Sequence, residues 1–302
     1  NRLSIFASAA NTDRDSYYGP GNDPLKAYGK TTDLTAMGGA QYVHTFDKCF
    51  FMPSDLTAGL EYNRDRLKDN MWGYNRHTDQ TVNIYSAFLQ NEWKNDRWGI
   101  LIGGRLDKHN MVDNVIFSPR ANLRFNPTQN INLRLSYSSG FRAPQAFDED
   151  MHIENVGGTV AMIERAKDLK EEKSQSFSVS ADMYHRFGAF QTNLLIEGFY
   201  TRLTDVFVLG KPYDRGDGIL VKTRSNGPGA KVMGLTLEGK VAYLSILQIQ
   251  AGLTLQRSRY DEPHKWHDDA PAEKKIFRTP DTYGYFTATC TPIKPLSIAL
   301  SG

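Results

Sequence analysis

The sequence predicts an all-β protein, an antiparallel up-and-down transmembrane β-barrel present in part as about thirteen strands. Three observations predict it. First, segments along the chain alternate apolar and polar residues with a period of two, the mark of strands apolar on one face. Second, the connections alternate long and short. The long ones run over 11–31, 67–80, 107–116, 141–174, 203–233 and 257–283, the short ones over 46–54, 95–97, 126–130, 186–189, 244–246 and 291–295. Membrane barrels place short turns on one side and long loops on the other. Third, aromatic residues gather beside the short connections: Phe46, Phe50, Phe51, Trp93, Trp98, Phe125, Phe187, Phe190 and Tyr243. Rings at that level sit in a membrane interface.

Taken in order, the chain opens within a strand pattern, Arg2-Leu3-Ser4-Ile5. Segment 117–125 sets Phe117, Ala121, Leu123 and Phe125 against Ser118, Arg120, Asn122 and Arg124. In 131–137, Leu133, Leu135 and Tyr137 oppose Asn132, Arg134 and Ser136. In 176–187, Phe177, Val179, Ala181, Met183 and Phe187 oppose a face of Ser176, Ser178, Ser180, Asp182, Tyr184 and Arg186; His185 breaks the apolar face. In 234–243, Leu235, Leu237, Val241 and Tyr243 oppose Gly234, Thr236, Glu238 and Lys240. In 247–256, Leu247, Ile249, Ala251, Leu253 and Leu255 oppose Gln248, Gln250, Gly252, Thr254 and Gln256. The polar faces carry Arg, Asn, Gln, Ser and Glu, as a wet lumen permits. A soluble antiparallel sheet has the same period, so the loop rhythm and the aromatic rows are what favour a membrane barrel. Asn95-Asp96 and Asn126-Pro127-Thr128-Gln129-Asn130 are tight-turn clusters, whereas Gly19-Pro20-Gly21 and Asn226-Gly227-Pro228-Gly229 punctuate long connections. The chain stops mid-pattern at Leu296–Gly302, so residues 1–302 are expected to be one piece of a longer barrel domain.

Composition is compatible with this. No stretch approaches the ~20 apolar residues of a transmembrane helix, while a barrel strand needs only ~9–11 with one apolar face. The net charge of +2, from 36 basic and 34 acidic residues, points to no nucleic-acid partner. Cys49 and Cys290 form no disulfide framework.

Ser139-Gly140-Phe141-Arg142-Ala143-Pro144 closes one strand, and Asp168-Leu169-Lys170-Glu171-Glu172-Lys173-Ser174 leads into the next. This pair resembles the barrel of TonB-dependent outer-membrane receptors, in which a "GFRAP"-type strand end precedes a long loop ending in an "LKPE-S"-type segment. Glu171 stands where that pattern has proline. Residues 143–153 with Val156-Gly157-Gly158 resemble the Bacteroidetes members in particular. The resemblance implies a 22-stranded barrel in the outer membrane of a Gram-negative cell, with an N-terminal plug and last strands outside this chain. It implies binding and import of a scarce metal chelate (siderophore-iron, cobalamin or haem). Energy would come from a TonB–ExbB–ExbD partner acting on the plug. No catalysis, resident metal or cofactor is implied.

Candidate ligand residues lie on the long connections. Tyr17 and Tyr18 belong to the first; Trp72, Tyr74, Arg76 and His77 to the second; Arg259, Tyr260 and Trp266 to the last. Rings and guanidinium groups suit a planar anionic chelate by stacking and paired hydrogen bonds. Asp148, Asp150 and His152, also candidate ligand residues, repeat at every second residue, one side of an extended segment, and either hold a cation or brace the loop. His152 occupies the interval where haem receptors of the family carry an axial His, but Arg165-Ala166-Lys167-Asp168-Leu169 replaces their "NPNL" segment. Arg142 is expected to pin the loop root. Alternatives to an active receptor are a passive porin, a barrel enzyme whose site is assembled in space, and a soluble β-protein. There is no G-x-S-x-G or H-E-x-x-H.

Overall fold

A computed structural model describes residues 1–17, 28–146, 154–156, 159–216, 219–265, 271–277 and 279–302. In chain order the strands are β1 (Arg2–Tyr17), β2 (Tyr28–Cys49), β3 (Met52–Met71), β4 (Arg76–Lys94), β5 (Trp98–His109), β6 (Ile116–Thr128) and β7 (Ile131–Arg142). Then follow β8 (Glu154–Val156), β9 (Thr159–Arg165), β10 (Glu172–Phe187), β11 (Phe190–Thr204), β12 (Phe207–Leu209), β13 (Tyr213–Asp214) and β14 (Leu220–Asn226). The last are β15 (Ala230–Tyr243), β16 (Leu247–His264), β17 (Glu273–Lys275), β18 (Thr282–Ile293) and β19 (Leu296–Ser301). Thirteen of these form one antiparallel series, β1 to β7, β10, β11, β15, β16, β18 and β19, with β17 added against β16. The architecture is a partial up-and-down barrel wall, as the patterning predicts.

Register shows why the wall is lipid-facing on one side. The row Leu123, Leu135, Val179, Gly198, Leu235, Leu255 runs directly across six strands. Every side chain in it points outward, and the five non-glycine members are exposed. On the other face, Arg105 pairs with Glu61 at 2.6 Å and with Asp107 at 2.8 Å, and Ser86 donates to Asp107 at 2.6 Å. Ion pairs and hydrogen bonds line the lumen; apolar side chains line the outside. That is the reverse of a soluble sandwich, in which the apolar face is buried.

The short-connection end carries the aromatic rows. Phe51 stacks on Trp93 at 5.7 Å, Trp98 on Phe125 at 4.3 Å and Phe187 on Phe190 at 5.4 Å. Phe50 takes φ = 62°, which is costly for a residue with a Cβ, to close the two-residue turn between β2 and β3. The cysteines are free.

The long-connection end corrects the expected boundaries. Residues 67–80 were expected to form a loop, yet β3 continues to Met71 and β4 begins at Arg76. The first and last long connections shrink in the same way, because β1 extends to Tyr17 and β16 to His264. Outside the membrane both faces of a ribbon are wet or protein-covered. The apolar alternation therefore stops there while backbone pairing continues. The two longest connections also contain strands of their own. Strands β12, β14, β9 and β8, with β13 beside β14, form a second, five-stranded sheet in which β9 and β14 run parallel.

Candidate functional site

The long-connection end encloses a cavity of about 640 Å³. Four connections build it. The β3–β4 hairpin contributes Arg76 and His77, the β5–β6 turn Met111, the β7–β10 connection Arg165 and Lys167, and the β11–β15 connection Arg215. Among the described residues, Glu164 is the only acidic group in its lining.

Its three arginines are held before any ligand arrives. Arg76 donates to Asp69 through Nη2 at 2.7 Å and Nε at 3.1 Å. Asp69 is 1% exposed and also accepts from Thr31 Oγ1 at 2.7 Å. Met71 packs beneath them, fully buried with Tyr74, Met162 and Ile219. Gly29 makes that possible: a Cβ there would lie 1.7 Å from the Met71 sulfur. Arg165 Nη1 donates to Gln80 Oε1 at 2.7 Å and to the Pro144 carbonyl at 3.0 Å; Gln80 Oε1 also accepts from the Ala146 N–H. Arg215 donates to the Tyr74 carbonyl at 2.9 Å, joining two connections 141 residues apart. A guanidinium is a planar group with five N–H donors in a fixed fork, so these bonds set its orientation.

Three further contacts hold the connections together. The Asn226 amide donates to the Asp205 and Lys170 carbonyls at 2.8 and 3.0 Å, and its oxygen accepts from the Lys170 N–H. Glu172 accepts from the Phe207 N–H at 2.8 Å, and Arg142 lies over the Phe207 ring at 5.4 Å. His109, fully buried at the loop end of β5, accepts from the Met111 N–H through Nδ1 at 3.0 Å. Its ring proton is therefore on Nε2, which donates to Gln145 Oε1 at 3.2 Å. Burial pulls its pKa below the ordinary value, against the opposing pull of Gln145 and the Asp107 charge.

The expected residues divide clearly. Arg76 and His77 line the cavity, and Tyr74 is buried beside it. Burial, then the nearby Tyr17 phenol, pushes the Tyr74 hydroxyl up. Trp72 is exposed, and Tyr17 packs edge-on against Tyr28 at 6.2 Å. Tyr260 is buried elsewhere, with Val206 and Ala230, and Arg259 stands on the outer face in register with Lys231. Tyr18, Asp148, Asp150, His152 and Trp266 lie outside the described residues. Gln80, His109, Arg165, Arg215 and Asn226 escaped sequence reasoning. The only signal was the departure at 165–169, where a segment carrying Arg165, Lys167 and Asp168 replaces an uncharged one. Among the described residues, no three His, Cys, Asp or Glu side chains are grouped closely enough to hold a metal ion.

Comparison with known proteins follows the same lines. A family described as "TonB dependent receptor-like, beta-barrel" matches residues 2–289. No curated protein matches the sequence. The fold is similar to that of the siderophore receptor PirA from Pseudomonas aeruginosa, at 14% identity and TM-score 0.70, covering 99% of this chain and 55% of that one. It is similar to the FrpB iron transporter from Neisseria meningitidis, at 14% identity and TM-score 0.67, over 99% and 47%. It is also similar to the alcaligin receptor FauA from Bordetella pertussis, at 14% identity and TM-score 0.62, over 99% and 50%. The chain thus spans about half the length of these structures, and the likeness at such identities is one of fold.

Proposed function

The chain belongs to the TonB-dependent receptor β-barrel family, and from that premise we propose that it forms much of the wall of an outer-membrane receptor that imports an anionic metal chelate. The observation that carries this reading is the loop-built cavity, in which Arg76, Arg165 and Arg215 are held by protein acceptors and Glu164 is the one acidic lining residue among the described residues. Pre-organised guanidinium groups favour carboxylate or catecholate oxygens, since little side-chain entropy remains to be lost on binding. The siderophore class fits this donor set best; cobalamin and haem are the alternatives within the same reading. The remaining strands and the plug would come from parts of the protein outside this chain. A TonB–ExbB–ExbD complex would supply energy through the plug.

The test uses the full-length receptor in a Gram-negative strain deleted for its own chelate receptors. Growth is scored on ferric siderophores, cobalamin and haem, with and without TonB. Rescue by an anionic ferric chelate, lost when TonB is removed, is the expected result. Rescue that persists without TonB would mean a passive channel.

A further inference from the structure

We propose that the lumen face of β5, β6 and β7 is the route by which the anionic cargo crosses the membrane, with Arg120 and Arg134 as successive stations for its oxyanion groups. The inference rests on the transport reading and goes beyond it, since that reading concerns only the entry cavity. It starts from two further cavities inside the wall. The upper, of about 510 Å³, has Glu61, Arg105, Ser118 and Arg120 in its lining. The lower, of about 260 Å³, has Glu92, Asn122, Arg124, Arg134 and Ser136. Arg105 faces the lumen, and Ser118 opposite it puts Arg120, Asn122 and Arg124 on the same side at every second residue. From Arg120 down to Arg124 is about 13 Å of strand. The same distance leads up to Ile116, where β6 leaves the β5–β6 turn whose Met111 lines the entry cavity. Three cavities that contain arginines thus follow one another down one side of the lumen.

Register confines the basic surface to these strands. In the row Gln90, Gly103, Arg120, Ser138, Ser176, Thr201, directly paired from β4 to β11, Arg120 is the one charged residue. A lower row reads Lys94, Gly99, Arg124, Arg134, Ser180, Glu197, so its cations end at β7 and an acid stands on β11. The inward row below that reads Asn132, Asp182, Leu195, Glu238. The sign of the lumen wall therefore changes from basic on β6 and β7 to acidic on β10, β11 and β15. An anion is drawn to the first face and repelled by the second.

Two of the four arginines are fixed by the fold and two are not. Arg105 is held by Glu61 and Asp107. Arg124 turns over Gly99, where an added Cβ would lie 3.1 Å from its Nε, and donates to the Asn95 carbonyl at 3.0 Å. Its Nε is buried and has no partner among the described residues. Arg120 and Arg134 make no hydrogen bond or ion pair among the described residues. Glu92, the acid in the lower lining, lies 3.8 Å from Lys94. Arg124 and Arg134 stand directly opposite each other, and like charges so placed destabilise a sheet. A carboxylate or catecholate, with two acceptor oxygens, relieves that repulsion. The lower cavity is smaller than the ~300–1,000 Å³ that encloses a small ligand, so it takes the anionic edge of a cargo and not the whole. Several weak sites in series let a cargo enter and leave, whereas one tight site would trap it.

The test uses the full-length receptor in a strain deleted for its own chelate receptors. The probe is radioiron, presented in turn as its citrate and its tris-catecholate complex. Binding is counted on chilled cells and import on warm, energised ones. The double variant Arg120→Gln, Arg134→Gln should bind with wild-type affinity and import at least about tenfold more slowly at saturation. Arg120→Lys with Arg134→Lys keeps the charges and should recover most of that rate. Lys240→Gln removes a lumen cation on β15, off the route, and should leave import at the wild-type rate. Heat-modifiable migration on gels confirms that each variant is a folded barrel. Equal import by wild type and the double glutamine variant overturns this inference and leaves the transport reading standing. Equal slowing by Lys240→Gln overturns it too, since any lumen charge would then serve. Entry of vancomycin into cells that carry the double glutamine variant would mean that the arginines hold the plug in place, which also overturns it. A wild type that neither binds nor imports either probe sinks the transport reading, and this inference with it.

Discussion

The two ends of this wall are built from the same strands by different means. At the short-connection end, each turn joins sequence neighbours, and stacked rings such as Trp98 on Phe125 sit beside tight turns. At the long-connection end, distant segments meet: Arg215 reaches the Tyr74 carbonyl, Arg165 reaches Gln80, and Asn226 binds Lys170 and Asp205. The first end is local and repetitive. The second is non-local and assembled from polar contacts that each occur once. A barrel can therefore keep one end constant while its other end is recast for a ligand, because the membrane band between them depends on neither.

The largest effect should come from breaking the charge buried under the loop-built cavity. Asp69→Ala removes the carboxylate that holds Arg76, whose guanidinium is itself largely buried. Loss of one partner of a buried pair costs about 3–5 kcal/mol. Hydrogen exchange should show the β3–β4 hairpin opening, while the β2–β3 and β4–β5 turns at the other end stay protected. Lys68→Ala on the same hairpin serves as control. Its pair with Asp79 is exposed, at 3.7 Å, and should contribute under about 1 kcal/mol.

The band between the ends answers to lipid alone. Ile102 is 57% exposed and points outward from the middle of β5. Ile102→Arg should cost about 2–4 kcal/mol in urea unfolding from vesicles. Thr78→Arg, at the cavity, should leave that unfolding free energy nearly unchanged. Equal costs at both positions would mean that the outward row is not lipid-facing.

A smaller loss is expected at Arg165. Arg165→Gln removes the cation and the bridge to Gln80 and Pro144. Chelate affinity of the full receptor should fall by about 1–3 kcal/mol, with barrel melting unchanged. Unchanged affinity would separate the cavity from ligand binding.

The contrast between the ends also explains what could be read in advance. The wall was legible because lipid imposes one chemical rule on every second residue, from Phe117 to Leu255. Strand count, faces, turn positions and the aromatic rows follow from that rule. The ribbons above the membrane were not legible. Thr31, Asp69 and Gln80 are polar residues on paired strands, and nothing in their spacing distinguishes a strand from a loop. The parallel pairing of β9 with β14 was further out of reach, since it joins two connections through bonds that leave no periodic trace. Arg76 and His77 could be chosen by chemistry alone. Arg165 and Arg215 needed the fold to bring them near. Arg259 and Tyr260, adjacent in sequence, ended on opposite faces.

The mildest perturbation, a change of pH, sharpens the comparison at His109, at the loop end of β5. Neutral His109 ties β5 to the β7–β10 connection by accepting from Met111 and donating to Gln145. A second ring proton would face the Met111 N–H, donor against donor. Burial sets the closed-state pKa below the ordinary 6.5, so at mildly acidic pH an opened loop takes up a proton that the closed loop refuses. The stabilising contribution is thus complete above about pH 6.5, declines as pH falls below it, and levels off under the closed-state pKa. Hydrogen exchange at residues 141–146 should accelerate between pH 7.5 and 5.5, while exchange in the turns at the short-connection end, corrected for intrinsic rate, should not change. In His109→Gln the acceleration should disappear. If it persists there, a different group controls the loop, and the link between β5 and the connection above it is structural without being titratable.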